Sequence, residues 1–344
     1  MIWAADVSVV VPAYNRTDEL VELLDSVLQQ TMLPGEVVIV EDGSPEREAI
    51  RKVCADHAPL FTQAGSVLRY VENEVNLGFD RNLRKCLGIP NGKWALLLGN
   101  DDLLLPVAVE EVVRYLAVND VAVASRSFVR FDNDINQPLG LSRISDTDAV
   151  FKVGSSSSRM IFRSGAFIGG LLFDVDFCRR HESNSYDGSL YYQIYIFSLA
   201  FCSKGIGYIS TPIAAGRAGN PPMFGSADNE KSVHVPGAYT ASGRAKMWQG
   251  VLDIVSDIQK KFNVDLISDI KHELMVRQSF HIFEMNAGSG YRANLDLARE
   301  LSKIGLFSHF LPFSLFFLNA ILRRRASIFY GFVRRFLQKA RKSI

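Results

Sequence analysis

The sequence has few of the features that mark several large classes of protein. Its 344 residues include only 4 cysteines, widely spaced and without a Cys-x-x-Cys pair. Neither a disulfide framework nor a zinc site is therefore predicted, and a reducing compartment fits best. No Gly-x-Gly-x-x-Gly follows the first predicted strand and no P-loop pattern occurs, which argues against dinucleotide-dependent oxidoreductases and NTPases. The first six residues lack a basic region, so we expect no signal peptide.

The formal net charge of +1 hides an asymmetry between the tail and the rest of the chain. Residues 323–344 contain 8 basic residues (Lys or Arg) and no acidic residue. Because the whole chain has a net charge of +1, residues 1–322 have a net charge of −7. Residues 305–322 are aromatic and apolar but short for a membrane span. Beyond them, Phe and other apolar residues alternate with Arg at helical spacing. This pattern predicts an amphipathic helix lying on an anionic membrane surface.

Two other interpretations of the tail remain open. The helix could pack its apolar face on the protein itself, or the basic residues could form an arm for nucleic acid. Phenylalanines dominate the apolar face and no base-reading motif accompanies the charge, so we expect no nucleic-acid partner.

Apolar runs of strand length alternate with segments of helical periodicity over the first half of the chain. The predicted strands are Val7–Val11, Val37–Val40, Val67–Val71, Trp94–Gly99 and Val121–Ala124. This alternation predicts an α/β fold with a doubly wound, mainly parallel sheet. Helical periodicity dominates from about Ser242 to Ile304, which predicts a helical C-terminal region before the tail.

Polar or acidic residues follow three of the predicted strands. Asn100, Asp101 and Asp102 come after an entirely apolar run, Pro12 to Asn15 follow the first strand, and Glu41-Asp42 follow the second. Carboxyl ends of parallel strands converge on one crevice, where open α/β folds place their ligands. Adjacent carboxylates suit Mg²⁺ or Mn²⁺ bridged to substrate phosphates. The convergence predicts a metal-assisted nucleotide site, and the alternative is a solvated turn before the helix that Pro106 begins.

Together these motifs resemble the inverting family 2 glycosyltransferases, which have the GT-A fold. The matching stretches, spread over about residues 6 to 215, are Val9-Val-Val-Pro-Ala-Tyr-Asn-Arg16, Val40-Glu-Asp-Gly-Ser44, Asn76-Leu-Gly with Arg81-Asn82, and Gly99-Asn-Asp-Asp102. The sequence departs from the family at Asn100, where an acidic residue is usual.

The resemblance implies a role for each matching residue. Pro12 and Tyr14 would line the nucleotide pocket, and Asp42 would hydrogen-bond the base. Arg81 would face the donor, while Asp101 would contact the ribose or the sugar. Asp102 would hold a divalent metal, Mg²⁺ or Mn²⁺, on the diphosphate.

An inverting transfer also needs a carboxylate that removes the proton from the acceptor hydroxyl. In the family this base opens a helix after the polar loop of the second half, and Asp187 matches that place, with Glu182 as second candidate. The alternative is that Asp187 only caps the helix that follows. Arg217 is a further candidate, for contact with the diphosphate from a loop.

The resemblance implies transfer of a sugar from a nucleotide-sugar donor to a polyprenyl-diphosphate-linked glycan in bacterial surface polysaccharide assembly. An abequosyltransferase-like subgroup and a peripheral place on the cytoplasmic side of the inner membrane fit this function. We predict a catalytic domain over residues 1–220, a helical region over 221–304 and a membrane-associating tail over 305–344. Two rival functions remain open. One is a sugar nucleotidyltransferase, and the other is an inactive glycan-binding subunit of a membrane complex, which Asn100 favours.

Overall fold

A computed structural model describes residues 3–333, except for the side chain of Arg324. The basic residues from Arg334 onward, with Phe336 and Leu337 of the predicted amphipathic helix, lie outside the described residues. The first elements alternate as the apolar runs predict. They are β1 (Val7–Ala13), α1 (Thr17–Leu28), β2 (Glu36–Glu41), α2 (Arg47–Ala64), β3 (Val67–Glu72), α3 (Phe79–Gly88), β4 (Trp94–Leu97), β5 (Leu103–Leu104), α4 (Ala108–Leu116) and β6 (Val123–Phe131).

The middle of the chain adds two short strands and then alternates helices with two further strands of the same sheet. These elements are β7 (Gly140–Ser142), β8 (Ala149–Phe151), α5 (Arg159–Gly165), β9 (Leu171–Asp174), α6 (Val175–Arg180), α7 (Tyr192–Phe201) and β10 (Ile206–Arg217). The last strand, β10, is the longest of them and ends at Arg217.

Helices make up the rest of the described chain, as the periodicity predicts. They are α8 (Ala241–Phe262), α9 (Ile267–His272), a π-helical turn (Glu273–Gln278), α10 (Ser279–Met285), α11 (Tyr291–Lys303) and α12 (Phe310–Leu322). No helix among residues 3–333 is long and apolar enough to cross a membrane.

The sheet is mixed rather than simply doubly wound. Its strand order within the described residues is β3-β2-β1-β4-β9-β6-β10-β5, with β7 beside β6 and β8 beside β10. β1, β2, β3 and β4 are parallel neighbours, and so are β6 and β10. β9 runs antiparallel between β4 and β6 because the chain enters it at Leu171, which pairs with Leu97 at the carboxyl end of β4. The prediction of a mainly parallel sheet is therefore confirmed for the first four strands and incomplete beyond them.

One apolar core joins the sheet to the C-terminal helices. Val10 and Leu97 of the sheet belong to the same buried cluster as Trp248 of α8, Leu315 of α12 and Tyr330. Burial of this shared apolar surface is what holds the helices against the sheet. The predicted boundaries at residues 220 and 304 thus do not separate independent cores, and the three-domain division stays a prediction.

Candidate active site

The carboxyl ends of the parallel strands open into a cavity of about 620 Å³, within the range of small-molecule sites. Pro12, Tyr14, Asp42, Asp101 and Asp102 all line it. Strand topology explains the convergence, since β1, β2 and β4 are parallel neighbours and each ends at this edge. The sequence-based expectation that these residues share one crevice is confirmed.

Asp42 is held in a network of amides behind this crevice. Its carboxylate accepts hydrogen bonds from Asn73 Nδ2 at 2.8 Å, Leu77 N at 2.9 Å and Gly78 N at 3.0 Å. Asn82 Oδ1 accepts a second hydrogen bond from Asn73, so α3 is tied to the same network. Burial raises the pKa of Asp42 to about 6, and the amide donors act against that rise. The carboxylate is thus fixed in position.

Asp101 is neutralised by groups that come from distant parts of the chain. Its carboxylate lies 2.6 Å from Arg16 Nη1 and 2.9 Å from Asn220 Nδ2. Arg217 Nε donates to the Asp101 carbonyl at 3.0 Å. Arg16, Arg217 and Asn220 therefore close around the acidic turn. The sequence indicates no role for Arg16 or Asn220. Arg16 follows β1, the parallel neighbour of β4, and Asn220 follows β10, so both contacts depend on how the chain folds.

Asp102 lies deeper than Asp101, with 3% of its surface exposed. Its Oδ1 accepts a hydrogen bond from Arg217 N at 3.1 Å. Burial, with a smaller contribution from the neighbouring Asp101 carboxylate, raises the pKa of Asp102 to about 8. A Cβ at Gly99 or Gly169 would fall 2.7 Å or 2.1 Å from Asp102 Oδ2, so the two glycines make room for this carboxylate.

Asp101 and Asp102 fit a divalent cation that takes most of its ligands from substrate phosphates and water. No group of three or more His, Cys, Asp or Glu side chains is placed to hold a metal among residues 3–333. Mg²⁺ commonly takes only one or two protein carboxylates, together with phosphate oxygens and water. Asp102, whose ionised form is disfavoured by burial, and Asp101 beside it supply that donor set.

Asn100 has a structural role that an acidic side chain cannot fill. Its Nδ2 donates to the Asn15 carbonyl at 2.8 Å. Asn15 and Arg16 both have left-handed backbone, with φ of 54° and 64°. This turn directs Arg16 onto Asp101, and the Asn100 amide donates to it a hydrogen bond that an ionised carboxylate cannot give. The departure from the family pattern at Asn100 is therefore explained by the turn that it holds.

Arg81 and Asp187 lie outside this cavity. Neither is among the residues that line the cavity. Asp187 pairs with Arg81 Nε at 2.9 Å and with Arg84 Nη1 at 2.5 Å, and its side chain is 12% exposed. Glu182, the second candidate, is 3.4 Å from Arg84 and largely exposed. The structure thus gives Asp187 two arginine partners, and its role as a base stays a prediction.

The second side of the cavity comes from helices and from the loop before α8, and the sequence alone did not indicate it. We call its five aromatic residues the aromatic wall: Phe162, Tyr191, Phe224, Tyr239 and Trp248. Gln193 and Arg244 lie among them as polar groups. Glu230 closes the loop beneath, accepting hydrogen bonds from Phe79 N at 2.6 Å and Gly225 N at 2.7 Å. Hydrophobic periodicity identifies these helices but not which of their faces meets the sheet.

A crevice at the carboxyl ends of parallel strands, with paired acids and flanking arginines, is the usual place of the ligand site in an α/β fold. Residues 8–169 match the sequence model of the family described as Glycosyl transferase family 2. This span of the chain is therefore similar to glycosyltransferase family 2, and the fold of the chain is GT-A-like.

The relatives of the chain include proteins named as glycosyltransferases. A protein of Haemophilus influenzae named "Uncharacterized glycosyltransferase" is 30% identical over 123 residues, 36% of this chain and 36% of that protein. The chain spans 34% to 36% of the length of three such curated relatives. Abequosyltransferase RfbV of Salmonella typhimurium is 26% identical over 244 residues, 62% of this chain and 67% of RfbV.

Solved structures agree on the fold. The crystal structure of S. aureus TarS 1–349 in complex with UDP-GlcNAc matches with a TM-score of 0.61 at 13% identity, covering 94% of this chain and 88% of that one. The complex with UDP alone gives a TM-score of 0.59. At this identity the likeness shows a shared fold, which extends through the C-terminal helices.

Proposed function

We propose that the protein is an inverting glycosyltransferase that moves a sugar from a nucleotide-diphosphate donor to a hydroxyl of a lipid-linked glycan. The observation that carries this proposal is the convergence of Asp42, Asp101 and Asp102 in one cavity of a chain similar to glycosyltransferase family 2. Of two similar proteins, one is named for abequosyl transfer and the other was crystallised with UDP-GlcNAc. Both names support a nucleotide-sugar donor and a polysaccharide product here.

Each end of the donor has a matching set of groups. Pro12, Tyr14 and Asp42 lie where the base and ribose would bind, and the amide network fixes Asp42 to accept from the base. Asp101 would bind the ribose or the sugar once the donor displaces part of its contact with Arg16. Freed in this way, Arg16 would face the diphosphate with its positive charge.

Asp102, with Asp101 beside it, would hold Mg²⁺ or Mn²⁺ on the diphosphate. A bound divalent cation stabilises the negative charge that develops on the leaving nucleoside diphosphate. Arg217 contributes to the same end, because its main-chain N–H orients Asp102 and its guanidinium lies against the acidic turn. These protein groups are in place before any substrate binds, as electrostatic stabilisation requires.

In the proposed inverting reaction a base takes the proton of the acceptor hydroxyl as its oxygen attacks the anomeric carbon from the opposite face. Asp187 is our candidate. Its carboxylate is held in one position by Arg81 Nε at 2.9 Å and Arg84 Nη1 at 2.5 Å. Since Asp187 does not line the cavity, this role requires the loop before α7 to move when the acceptor binds.

A lipid-linked acceptor is supported by the surface next to the cavity. Phe310, Phe313, Phe317 and Ile321 lie at helical spacing on α12 and are 79%, 49%, 45% and 75% exposed. The opposite face of α12 packs on α10, where Asn319 Nδ2 donates to the Phe283 carbonyl at 2.8 Å. α10 in turn contributes Ile282 to the cavity lining. We propose that this exposed apolar face lies on the cytoplasmic surface of the inner membrane and so brings the cavity close to a membrane-held acceptor.

Of the two rival functions, neither gains support. A nucleotidyltransferase would be expected to have a glycine-rich basic loop after its first strand, and here β1 leads into the turn that Asn100 holds. The inactive subunit was favoured by Asn100 alone, and the structure gives that residue a positioning role.

Nucleotide binding and donor turnover test the proposal. Thermal-shift titrations of the full chain with UDP, GDP, CDP and dTDP, each with Mg²⁺ or Mn²⁺, should show one preferred base. The matching nucleotide sugar should then be slowly hydrolysed in the presence of Mn²⁺. Binding of no nucleoside diphosphate, or binding without turnover of any of its sugar conjugates, would contradict an active transferase.

A further inference from the structure

Gln193 is a buried polar side chain that the cavity leaves without a partner. It is the second residue of α7, it is 1% exposed, and it lines the cavity beside Tyr191 and Leu190. Within residues 3–333 its Oε1 accepts no hydrogen bond. A buried carbonyl oxygen without a donor is costly, and native proteins usually supply one. The donor that this oxygen lacks is expected to come with a ligand.

The backbone around Gln193 is held firmly, so the orphaned oxygen is not the result of a loose segment. Asp80 of α3, fully buried, accepts hydrogen bonds from Leu190 N at 2.8 Å and Tyr192 N at 3.0 Å. Ser198 and the rest of α7 are buried in the core as well. A ligand group that reaches Gln193 therefore meets a fixed acceptor, which is the arrangement that gives specificity.

The surroundings of Gln193 indicate the chemical class of that ligand. The aromatic wall offers apolar surface mainly from the partly exposed Phe224 and Tyr239 rings, while Phe162, Tyr191 and Trp248 are 3–6% exposed. Arg244, stacked 3.9 Å over the Tyr239 ring, leaves its Nε without a hydrogen-bond acceptor among the described residues. Apolar faces combined with a lone acceptor and a lone donor suit a sugar ring, which has C–H faces and hydroxyl groups that donate and accept.

The position of these groups in the chain separates them from the donor half of the cavity. The family 2 match covers residues 8–169 and contains Pro12, Tyr14, Asp42, Asp101 and Asp102. Gln193, Arg244 and every residue of the aromatic wall except Phe162 lie beyond it. The part of the site that this chain does not share with the family match is thus where a substrate specific to this protein would bind.

We infer that the aromatic wall binds the terminal sugar ring of the acceptor, and that Gln193 Oε1 accepts a hydrogen bond from one hydroxyl of that ring. This inference rests on the proposed function. It adds an acceptor subsite with a neutral hydrogen-bond acceptor at its centre, and it makes Gln193 a determinant of acceptor specificity.

The test is a cycle between Gln193 and the hydroxyl that it binds. The enzyme is assayed with its preferred nucleotide sugar on octyl glycosides of mannose, galactose, glucose and N-acetylglucosamine, and then on monodeoxy forms of the best one. Gln193→Met keeps the volume but removes the acceptor atom. The control is Gln249→Met, since Gln249 lies on α8 outside the cavity lining and bonds only to Asp253 among the contacts described.

Gln193→Met should lower kcat/KM for the intact acceptor by about tenfold, the scale of one hydrogen bond in a binding site. With the wild-type enzyme, kcat/KM for one monodeoxy acceptor should be lower by the same factor. The variant should show no further loss of kcat/KM on that acceptor, because the two changes remove the same interaction. The melting temperature should not fall, because an unpaired buried group is removed.

Two results would overturn the inference while leaving the proposed function intact. In the first, the kcat/KM loss caused by Gln193→Met adds to the loss caused by the missing hydroxyl for every monodeoxy acceptor. In the second, Gln193→Met leaves the KM of the acceptor unchanged. It instead raises the KM of the nucleotide sugar, or changes the rate at which the donor is hydrolysed without acceptor. By contrast, a wild-type enzyme that transfers no sugar from any nucleotide sugar would contradict the proposed function itself.

Discussion

The two sides of the cavity are built by different kinds of structure. One side consists of strand ends, where Asp42, Asp101 and Asp102 follow β2 and β4 and meet because neighbouring parallel strands end together. The other is the aromatic wall with Gln193, assembled from helices and a loop between residues 162 and 248. The strand side carries charge and the helical side carries apolar surface. We infer from this difference that the first serves the nucleotide and the second the acceptor.

The strand side should be the more sensitive to substitution. Asp102→Asn removes the proposed metal ligand and should lower transfer by about a thousandfold or more, the scale of losing electrostatic stabilisation of a leaving group. The fold should remain, and stability should not fall, because a buried carboxyl with a raised pKa is removed. Initial rates with Mn²⁺ and a melting curve measure both. The exposed control Asp146→Asn should leave both unchanged, and transfer by Asp102→Asn within tenfold of wild type would remove Asp102 from the mechanism.

Asp187 tests whether the two sides meet at a base. Asp187→Asn should lower turnover by about a hundredfold, the usual effect of losing a general base, with nucleotide affinity unchanged. Asp176→Asn is the control, since the Asp176 side chain is 72% exposed and pairs with Arg179 at the surface. A fall in melting temperature together with a fall in nucleotide affinity would show that the pairs with Arg81 and Arg84 are structural instead.

Asn100 tests the turn that presents Arg16. Asn100→Asp replaces the amide donor with a carboxylate facing the Asn15 carbonyl, 2.8 Å away in the wild-type protein. The loss should be about 1–3 kcal/mol of unfolding free energy, the cost of an unsatisfied buried group. Urea denaturation measures it, with the exposed Asn133→Asp as control. Should Asn100→Asp instead be as stable as wild type and gain activity with Mn²⁺, the position serves the metal and not the turn.

The membrane proposal extends the comparison to the outside of the helical side. Phe310→Ser with Phe317→Ser removes two rings from the exposed face of α12, and binding to anionic vesicles should weaken by about tenfold because less apolar surface is buried. High salt should weaken wild-type binding as well. Flotation with vesicles measures both effects. Val118→Ser with Leu139→Ser, two exposed apolar residues elsewhere, should have no effect. A full-length protein that ignores anionic vesicles at low salt would contradict the proposal.

Burial of acids on the strand side predicts a pH dependence of stability. Burial raises the pKa of Asp42 to about 6, of Asp80 to about 7 and of Asp102 to about 8. Folded-state values above the unfolded ones mean that the stabilisation is complete below about pH 4 for these groups and is lost as pH rises through 6 to 8. Without substrate, the free energy of unfolding should therefore fall by at least about 1 kcal/mol between pH 5 and pH 8. Asp102→Asn should reduce the fall above pH 7, and a variant with the same pH dependence as wild type would contradict the burial.

Much of the strand side could be predicted from the sequence. An apolar run followed by acids is a local signal, and the topology of parallel strands brings such ends together. Asp42, Asp101 and Asp102 were placed correctly for this reason. Arg16 and Asn220 were missed because their contact with Asp101 joins residues far apart in the chain.

The helical side could not be predicted in the same way. Periodicity identified α8 and α10, but their packing against the sheet depends on the whole core, which runs from Val10 to Tyr330. Gln193 carries no signal in an apolar helix until its neighbours are known. The antiparallel β9 was also missed, since a strand's direction depends on where the chain enters the sheet.

The division of labour between the two sides is tested most directly by measuring donor hydrolysis and sugar transfer on the same preparations. We predict that Asp102→Asn loses both activities, and that Gln193→Met keeps wild-type hydrolysis of the nucleotide sugar while its transfer to the octyl glycoside falls about tenfold. Equal losses of hydrolysis and transfer in both variants would contradict the assignment of one side to the donor and the other to the acceptor.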